Sequence, residues 1–343
     1  MIATSGVSTK TLLEVRDLSV SFRANRNVIE PVRGVSLDLP RGRRLGIVGE
    51  SGSGKSLTAL ALMRLLHSPA RLGGQVLLDG EDLLTLSDGQ MAKVRARRMS
   101  MIYQDPMSSL NPVFTVGKQI IEAIRIASDV SAAQARSAAI EVLGEVGVPE
   151  PSRRIDSYPH EFSGGMRQRV MIAMALSGDV DVLIADEPTT ALDVTTQARV
   201  MDLLSRVVAE RGLAVILITH DLGVAAGFCD EIKVMYAGRL VESAPVDSLY
   251  QRPVHPYTEA LLGAICQLDA DIAQPMTTIA GQPPLPGALP RGCSFHPRCP
   301  DAVARCTDEA PSTVHLGPAR FAECHFALER AAMSDALTSG AQS

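Results

Sequence analysis

The chain has no long apolar run. No stretch approaches the roughly 18 residues that a membrane-spanning helix needs, and the densest, Leu213 to Ile218, is one strand long. The opening MIATSGVSTK is polar and lacks the apolar core of a signal peptide. Both absences set the expectation of a soluble, cytoplasmic chain that meets a membrane only through a partner. Positive charge is not in excess either: 33 Lys and Arg against 38 Asp and Glu leave a net charge of −5. A nucleic-acid partner therefore has no electrostatic footprint, and local clusters such as Arg95 to Arg98 read as solvated faces. There is no internal repeat and no sustained heptad pattern. Cysteines number six, four of them between Cys293 and Cys324; in a cytoplasmic chain such clustering favours metal or redox chemistry over disulfides. What remains is an ordinary globular composition, 46% hydrophobic and 21% charged over 343 residues, long enough for two domains.

Gly49-Glu50-Ser51-Gly52-Ser53-Gly54-Lys55-Ser56 matches G-x-x-x-x-G-K-S/T, a loop that cradles nucleoside-triphosphate phosphates. Glycines let the backbone curl so that successive N–H groups face phosphate oxygens. The lysine reaches the β- and γ-phosphates, and the Ser56 hydroxyl is placed for Mg²⁺. The flanks agree: Arg44 to Val48 reads as a short buried strand and Lys55 to Leu66 as a helix whose N-terminus faces the anion.

Alternating apolar and polar residues from Leu12 to Phe22 and Val35 to Leu39 predict half-buried antiparallel strands, with Gln75 to Gly80 another strand and turn. Met101 to Gln104 ends a strand, because Asp105-Pro106 and Asn111-Pro112 forbid a continuing helix. Val116, Ile120, Ile121 and Ile124 share one helical face and Val142 with Val146 another, so residues from about 113 to 175 read as an inserted helical subdomain. Asp181 to Glu187 and Leu213 to Thr219 are almost continuously apolar and suit strands of a parallel sheet buried on both faces. Glu231 to Glu242 predicts a hairpin turning at Ala237-Gly238. Prolines crowd after residue 250, a domain boundary, and the last residues, 328–343, read as a frayed tail.

Several further residues are ambiguous when taken singly. Asp186-Glu187 at a strand end is either a solvated pair or a Mg²⁺-holding acid beside a water-polarising one. Ser163-Gly164-Gly165 before a helix is either a linker turn or a second anion site. Gln104 and His220 are otherwise a surface amide and a turn residue.

In chain order, Gly49–Ser56, Tyr103-Gln104-Asp105-Pro106, Phe162 to Arg169, Leu183 to Thr189, Ala191-Leu192-Asp193 and Thr219-His220-Asp221 resemble the nucleotide-binding subunit of an ABC transporter. They correspond to its Walker A, Q-loop, signature, Walker B, D-loop and H-loop over residues 12–250. Ser157 to Met166, Pro253-Val254-His255-Pro256-Tyr257-Thr258 and Gly292 to Pro300 resemble the dipeptide/oligopeptide importer branch, the peptide/nickel/opine family.

The resemblance implies an α/β fold: a P-loop NTPase, RecA-like parallel sheet core with an antiparallel β subdomain and an inserted α-helical subdomain (about 105–175). After a leader (1–11) and the cassette (12–250), it implies a small cysteine-rich extension over 251–327. It implies ATP held by Gly49, Glu50, Ser51, Gly52, Ser53, Gly54, Lys55, Ser56 and Leu57. Mg²⁺ would sit on Ser56, Gln104 and Asp186. Glu187 would align the attacking water, His220 would contact the γ-phosphate, and Asp193 would communicate across a dimer. Ser163, Gly164 and Gly165 would complete the partner's site. Phe22 either stacks on adenine or is a core phenylalanine in a chain with 3% aromatics. The signature departs from the usual Leu-Ser-Gly-Gly-Gln at both ends, with Phe162 first and Met166 last. Cys293, Cys299, Cys306 and Cys324 would ligate a 4Fe–4S cluster. Their spacing matches neither the compact zinc nor the ferredoxin pattern, so zinc and a purely structural, reduced set stay open.

The implied assembly has a second homologous ATPase, two transmembrane permease subunits and an extracytoplasmic substrate-binding protein at the cytoplasmic face of a bacterial-type plasma membrane. Peptides lead as cargo, with nickel, opines, glutathione or other small solutes as variants. A soluble cassette acting on ribosomes or DNA usually carries a second cassette or a long coiled coil, and a small-molecule kinase does not need Ser163–Gly165 or His220.

Overall fold

The computed structural model describes residues 11–24, 27–105, 109–190, 192–264 and 279–340. The expected leader lies outside them apart from Thr11, as do Pro106, Ala191 and Cys266. The chain divides into two compact units. One contains residues up to 15, 37–44 and 75–216; the other contains 16–36, 45–74 and 217 onward. The strands β1 (Thr11–Ala24), β2 (Asn27–Pro40) and β4 (Ala70–Leu78) contribute a segment to each.

In the first unit, β4 pairs antiparallel with β5 (Glu81–Asp82) across Asp79 and Gly80, at φ 51° and 87°. Two successive positive φ values are what a tight type I′ hairpin demands. The segments of this antiparallel sheet run in the order β2-β1-β4-β5. In a separate sheet, β6 (Met99–Ile102) lies parallel to β7 (Val182–Asp186), pairing Met99 with Val182 and Ile102 with Ala185. Every residue of β7 is buried, as its unbroken apolar run predicts.

The helices inserted between β6 and β7 are α3 (Val116–Ala127), α4 (Ala132–Glu145) and α5 (Gly164–Ala175), following α2 (Asp88–Arg97). Thr115 caps α3, and Ser131 with Gln134 forms a capping box on α4, so the first-turn amides are satisfied locally. Val116, Ile120 and Ile124 are buried on α3, and Ala135, Ala139, Val142 and Leu143 on α4. The face predicted from periodicity is the packed one. The unit closes with α6 (Val194–Arg211).

The second unit places β3 (Arg44–Val48) parallel to β9 (Glu231–Tyr236), and β9 turns through Ala237-Gly238 into β10 (Arg239–Pro245). The expected helix after the phosphate loop, α1 (Lys55–Leu62), is shorter than its pattern suggests, because Arg64 takes a left-handed φ of 48°. The later helices of this unit are α7 (Leu222–Phe228), α8 (Val246–Gln251), α9 (Pro256–Gly263) and α10 (Ala304–Asp308).

Beyond residue 250, β12 (Arg320–Ala322) pairs antiparallel with β10, and β11 (Val314–Gly317) pairs with β12, giving the order β11-β12-β10-β9-β3. The open edge of β10 is thereby covered. A bidentate Arg239–Glu323 pair at 2.8 Å on both oxygens fastens the join. The buried Glu242 carboxylate accepts from the amides of Val254 and His255, both at 2.8 Å. The residues expected to fray are helical over Ala327–Gly340 (α11). Tyr236, Tyr257 and Phe295 pack ring to ring at 4.5–5.3 Å and tie β9, α9 and the cysteine-rich segment into one core.

Gly117 marks the tightest contact of the inserted helices: a Cβ there would lie 2.5 Å from the Ile155 carbonyl oxygen and 2.3 Å from its Cγ1. Gly117→Ala is expected to destabilise the protein by about 1–3 kcal/mol, the range for overpacking. Denaturant unfolding checks this, and an unchanged midpoint would count against the packing described.

Candidate functional site

The phosphate-loop stretch leaves the end of β3 at Gly49 (φ 156°), where a Cβ would stand 2.2 Å from the Met235 carbonyl oxygen on β9. Only glycine fits. Gly52 and Gly54 follow at φ 79° and 107°, and a Cβ on Gly54 would lie 2.7 Å from the Pro31 carbonyl oxygen. The resulting curl lets the Ser53 amide donate to Glu50 O at 3.2 Å. Gly54 caps α1 without any side-chain hydrogen bond, and the first turn carries no acid. The helix therefore presents uncapped N–H groups, which together with its dipole favour an anion.

Lys55, only 5% exposed, donates from Nζ to the carbonyls of Gly49 at 2.7 Å and Glu50 at 3.0 Å. The Ser53 hydroxyl is buried without a hydrogen-bond partner among the described residues. A buried cation, an orphaned hydroxyl and bare amides on one loop suit a phosphate-bearing ligand. Ser51 and Gly52 are exposed, while Ser56 and Leu57 are half-buried at the start of α1.

This loop is braced by residues far from it in the chain. The Glu50 amide donates to Tyr257 Oη at 2.9 Å, and its carboxylate receives both ends of the Arg298 guanidinium at 2.7 and 2.9 Å. Arg298 lies 248 positions away, so no local pattern could have paired the two. Elsewhere in this unit Phe22 is half-buried on β1. His220 is exposed just beyond β8 (Ala214–Thr219), and Asp221 caps α7 through the Val224 amide at 3.1 Å.

In the first unit, Asp186 is 5% exposed at the end of β7, and Glu187 takes a left-handed φ of 46°. Its Oε2 accepts from Gln104 Nε2 and from Thr190 Oγ1, both at 2.8 Å. Two predicted site residues separated by 83 positions are thus in direct contact. Ser163 caps α5, accepting from the Met166 amide at 3.4 Å, and Phe162 beside it is buried. A Cβ on Gly165 would come within 2.8 Å of Thr196 Cγ2, so the signature turn abuts the start of α6. Asp193 caps that helix, accepting from the Thr196 hydroxyl at 2.7 Å and amide at 3.0 Å. The Thr196 hydrogen bonds hold its carboxyl below the usual range.

The four cysteines of the extension, 293, 299, 306 and 324, line a single cavity of about 280 Å³ in the second unit. Their thiols are free. Burial raises the pKa of Cys293 and Cys324 and lifts Cys299 to about 11, so thiolates there call for a bound cationic centre. Among the described residues no group of three His, Cys, Asp or Glu lies close enough to hold one metal ion. Neither the zinc site nor the cluster site expected at these cysteines is therefore pre-formed among the described residues. Cys229 is half-buried against the core beside Gly46, as expected of a small apolar residue.

Residues 32–190 match the family described as ABC transporter, and residues 241–306 the oligopeptide/dipeptide transporter C-terminal region. An ATP-binding protein of Brucella abortus (strain 2308) is 50% identical over 309 residues, 90% of this chain and 93% of that protein. This chain is an ATP-binding subunit of the ABC transporter family. It is also 49% identical to the oligopeptide transport ATP-binding protein OppD of Salmonella typhimurium over 91% of this chain and 93% of that one. The dimeric ATP-binding cassette MJ0796 bound to ADP and Pi superposes with a TM-score of 0.62 at 27% identity, covering 68% of this chain and 99% of that one.

The cassette is an ATPase of this family, whose members work as dimers beneath membrane permeases. Among the described residues no helix is long and apolar enough to cross a membrane. Gly49→Ala should weaken nucleotide binding by roughly tenfold or more, because the loop must leave Met235. Titration with a fluorescent ATP analogue measures it, and wild-type affinity in the variant would contradict the close approach.

Proposed function

We propose that this cassette hydrolyses ATP to energise the import of di- and oligopeptides, docked on the cytoplasmic side of a permease pair that an extracytoplasmic binding protein supplies. The observation that carries this reading is the C-terminal region match over residues 241–306, joined to near full-length similarity to OppD. The second ATPase of the dimer is a homologous, non-identical chain.

Each residue has a separate task. Lys55 and the amides of the loop Gly49–Ser56, apart from that of Glu50, which Tyr257 holds, bind the β- and γ-phosphates, and Leu57 continues that turn. Ser56, Gln104 and Asp186 hold Mg²⁺, which when bound neutralises charge on the transferring phosphoryl group. Glu187 orients the attacking water, a role that its contacts with Gln104 and Thr190 support by restraining the carboxylate. His220 contacts the γ-phosphate, and Phe22 stacks on the base. Ser163–Gly165 present backbone amides to the partner's nucleotide, while Asp193 reports across the dimer. Met166 removes the signature glutamine but leaves these backbone donors intact. Cys293, Cys299, Cys306 and Cys324 hold a 4Fe–4S cluster, supported by four thiols on one cavity.

Glu187→Gln is expected to lower ATP turnover by about 10²-fold or more while retaining bound ATP and accumulating a dimer in size-exclusion chromatography. Undiminished turnover would remove Glu187 from the mechanism. Reconstituted with permeases encoded beside it, the wild-type protein should drive ATP-dependent peptide uptake, and hydrolysis without uptake would point to another cargo. Anaerobic purification should yield brown protein containing iron and sulfide; a colourless protein with stoichiometric zinc would overturn the cluster assignment.

A further inference from the structure

Glu50 is an awkward residue in a loop built for anions. Its carboxylate is tethered beside the uncapped amides of α1, where it could take the place of a phosphate or repel one. Each polar group of Glu50 is nevertheless committed elsewhere. The amide goes to Tyr257 Oη, the carbonyl accepts from Lys55 Nζ and the Ser53 amide, and the carboxylate takes the Arg298 fork.

Arg298 is itself held. Its side chain is 4% exposed, its Nε donates to Ala280 O at 2.8 Å, and Nη1 reaches Tyr236 Oη at 3.4 Å. Tyr257 is fully buried against Tyr236 and Phe295. The pair is a bidentate, largely desolvated charge contact, which fixes direction as well as charge. Arg298 occupies the turn His296–Arg298, immediately before Cys299. The brace is thus carried by the C-terminal extension, not by the cassette that contains the loop.

We infer that the extension completes the phosphate loop: Arg298 is a positioning residue that draws aside and neutralises the Glu50 carboxylate, leaving the loop amides to the nucleotide. This rests on the reading of Gly49–Ser56 as the ATP-binding loop and deepens it. The fold keeps the two halves of the device on segments that meet only in the tertiary structure, so a cassette lacking its extension would carry a self-competing anion in its own site.

Equilibrium titration of the purified full-length chain with ATP, at low and high salt, tests the assignment. Arg298→Ala should raise Kd about tenfold, equivalent to about 1.4 kcal/mol, and the deficit should shrink at high salt as the uncovered charge is screened. KM should rise with it while kcat changes little. Arg298→Lys, keeping the charge but not the fork, should fall between. The double variant Arg298→Ala/Glu50→Gln should return to within about threefold of wild type, a rescue that loss of mere scaffolding would not give.

Unchanged ATP affinity in Arg298→Ala, or a double variant no tighter than the single one, overturns the inference. If Arg298→Ala does not fold, Arg298→Lys carries the test: ATP affinity below wild type with a deficit that shrinks at high salt supports the inference, and wild-type affinity at both salts overturns it. A wild-type chain that binds no ATP would instead overturn the phosphate-loop reading.

Discussion

No side chain fits between the first residue of the phosphate loop and the carbonyl of Met235. This close approach organises the second unit. It follows from the parallel register of β3 and β9, in which Val48 pairs with Val234, so that Gly49 and Met235 are the next residues on the two strands. The contact continues beyond the strands. The Gly238 amide donates to Ser53 O at 2.9 Å, and the Arg33 amide donates to Gly238 O at 2.8 Å. The hairpin turn of β9 and β10 therefore backs the loop, and the same hairpin pairs with the C-terminal extension. A binding loop made mostly of glycine and serine has little side-chain packing of its own and borrows rigidity from its neighbours.

Charge is placed with the same economy of freedom. Lys55 is buried, and its ammonium donates to two loop carbonyls. Glu50, the one acid in the loop, is instead paired outward with Arg298. In the first unit Glu187 accepts from the Gln104 amide and the Thr190 hydroxyl, which restrain its carboxylate. Asp193 accepts from the hydroxyl and the amide of Thr196.

The extension is more than an appendage to this arrangement. It lengthens the sheet through β12, supplies Phe295 to the aromatic core and carries four thiols on one cavity. Burial raises the pKa of Cys293, Cys299 and Cys324 in that cavity. The turn bearing Arg298 links that cavity to the loop over a single residue step.

Much of this was legible in the sequence, because it depends on local rules. Strand β3, the Ala237-Gly238 hairpin, the buried run of β7 and the apolar face of α3 follow from periodicity and from glycine's tolerance of positive φ. The glycine–lysine–serine spacing dictates an anion-binding loop at a helix N-terminus, and the ordered motifs dictate the family. The apolar pattern of α1 runs on past Leu62, whereas the helix ends before the left-handed residue Arg64. The incorporation of residues beyond 250 into the sheet was hidden as well, since an edge strand is chosen by which backbone groups are left unpaired, not by its own composition. Glu50, Tyr257 and Arg298 carry no pattern in common. Composition and spacing decided that this chain would cradle phosphates; which distant residues hold the cradle open was decided only by folding, because a pairing across 248 positions depends on where the sheet brings the two ends.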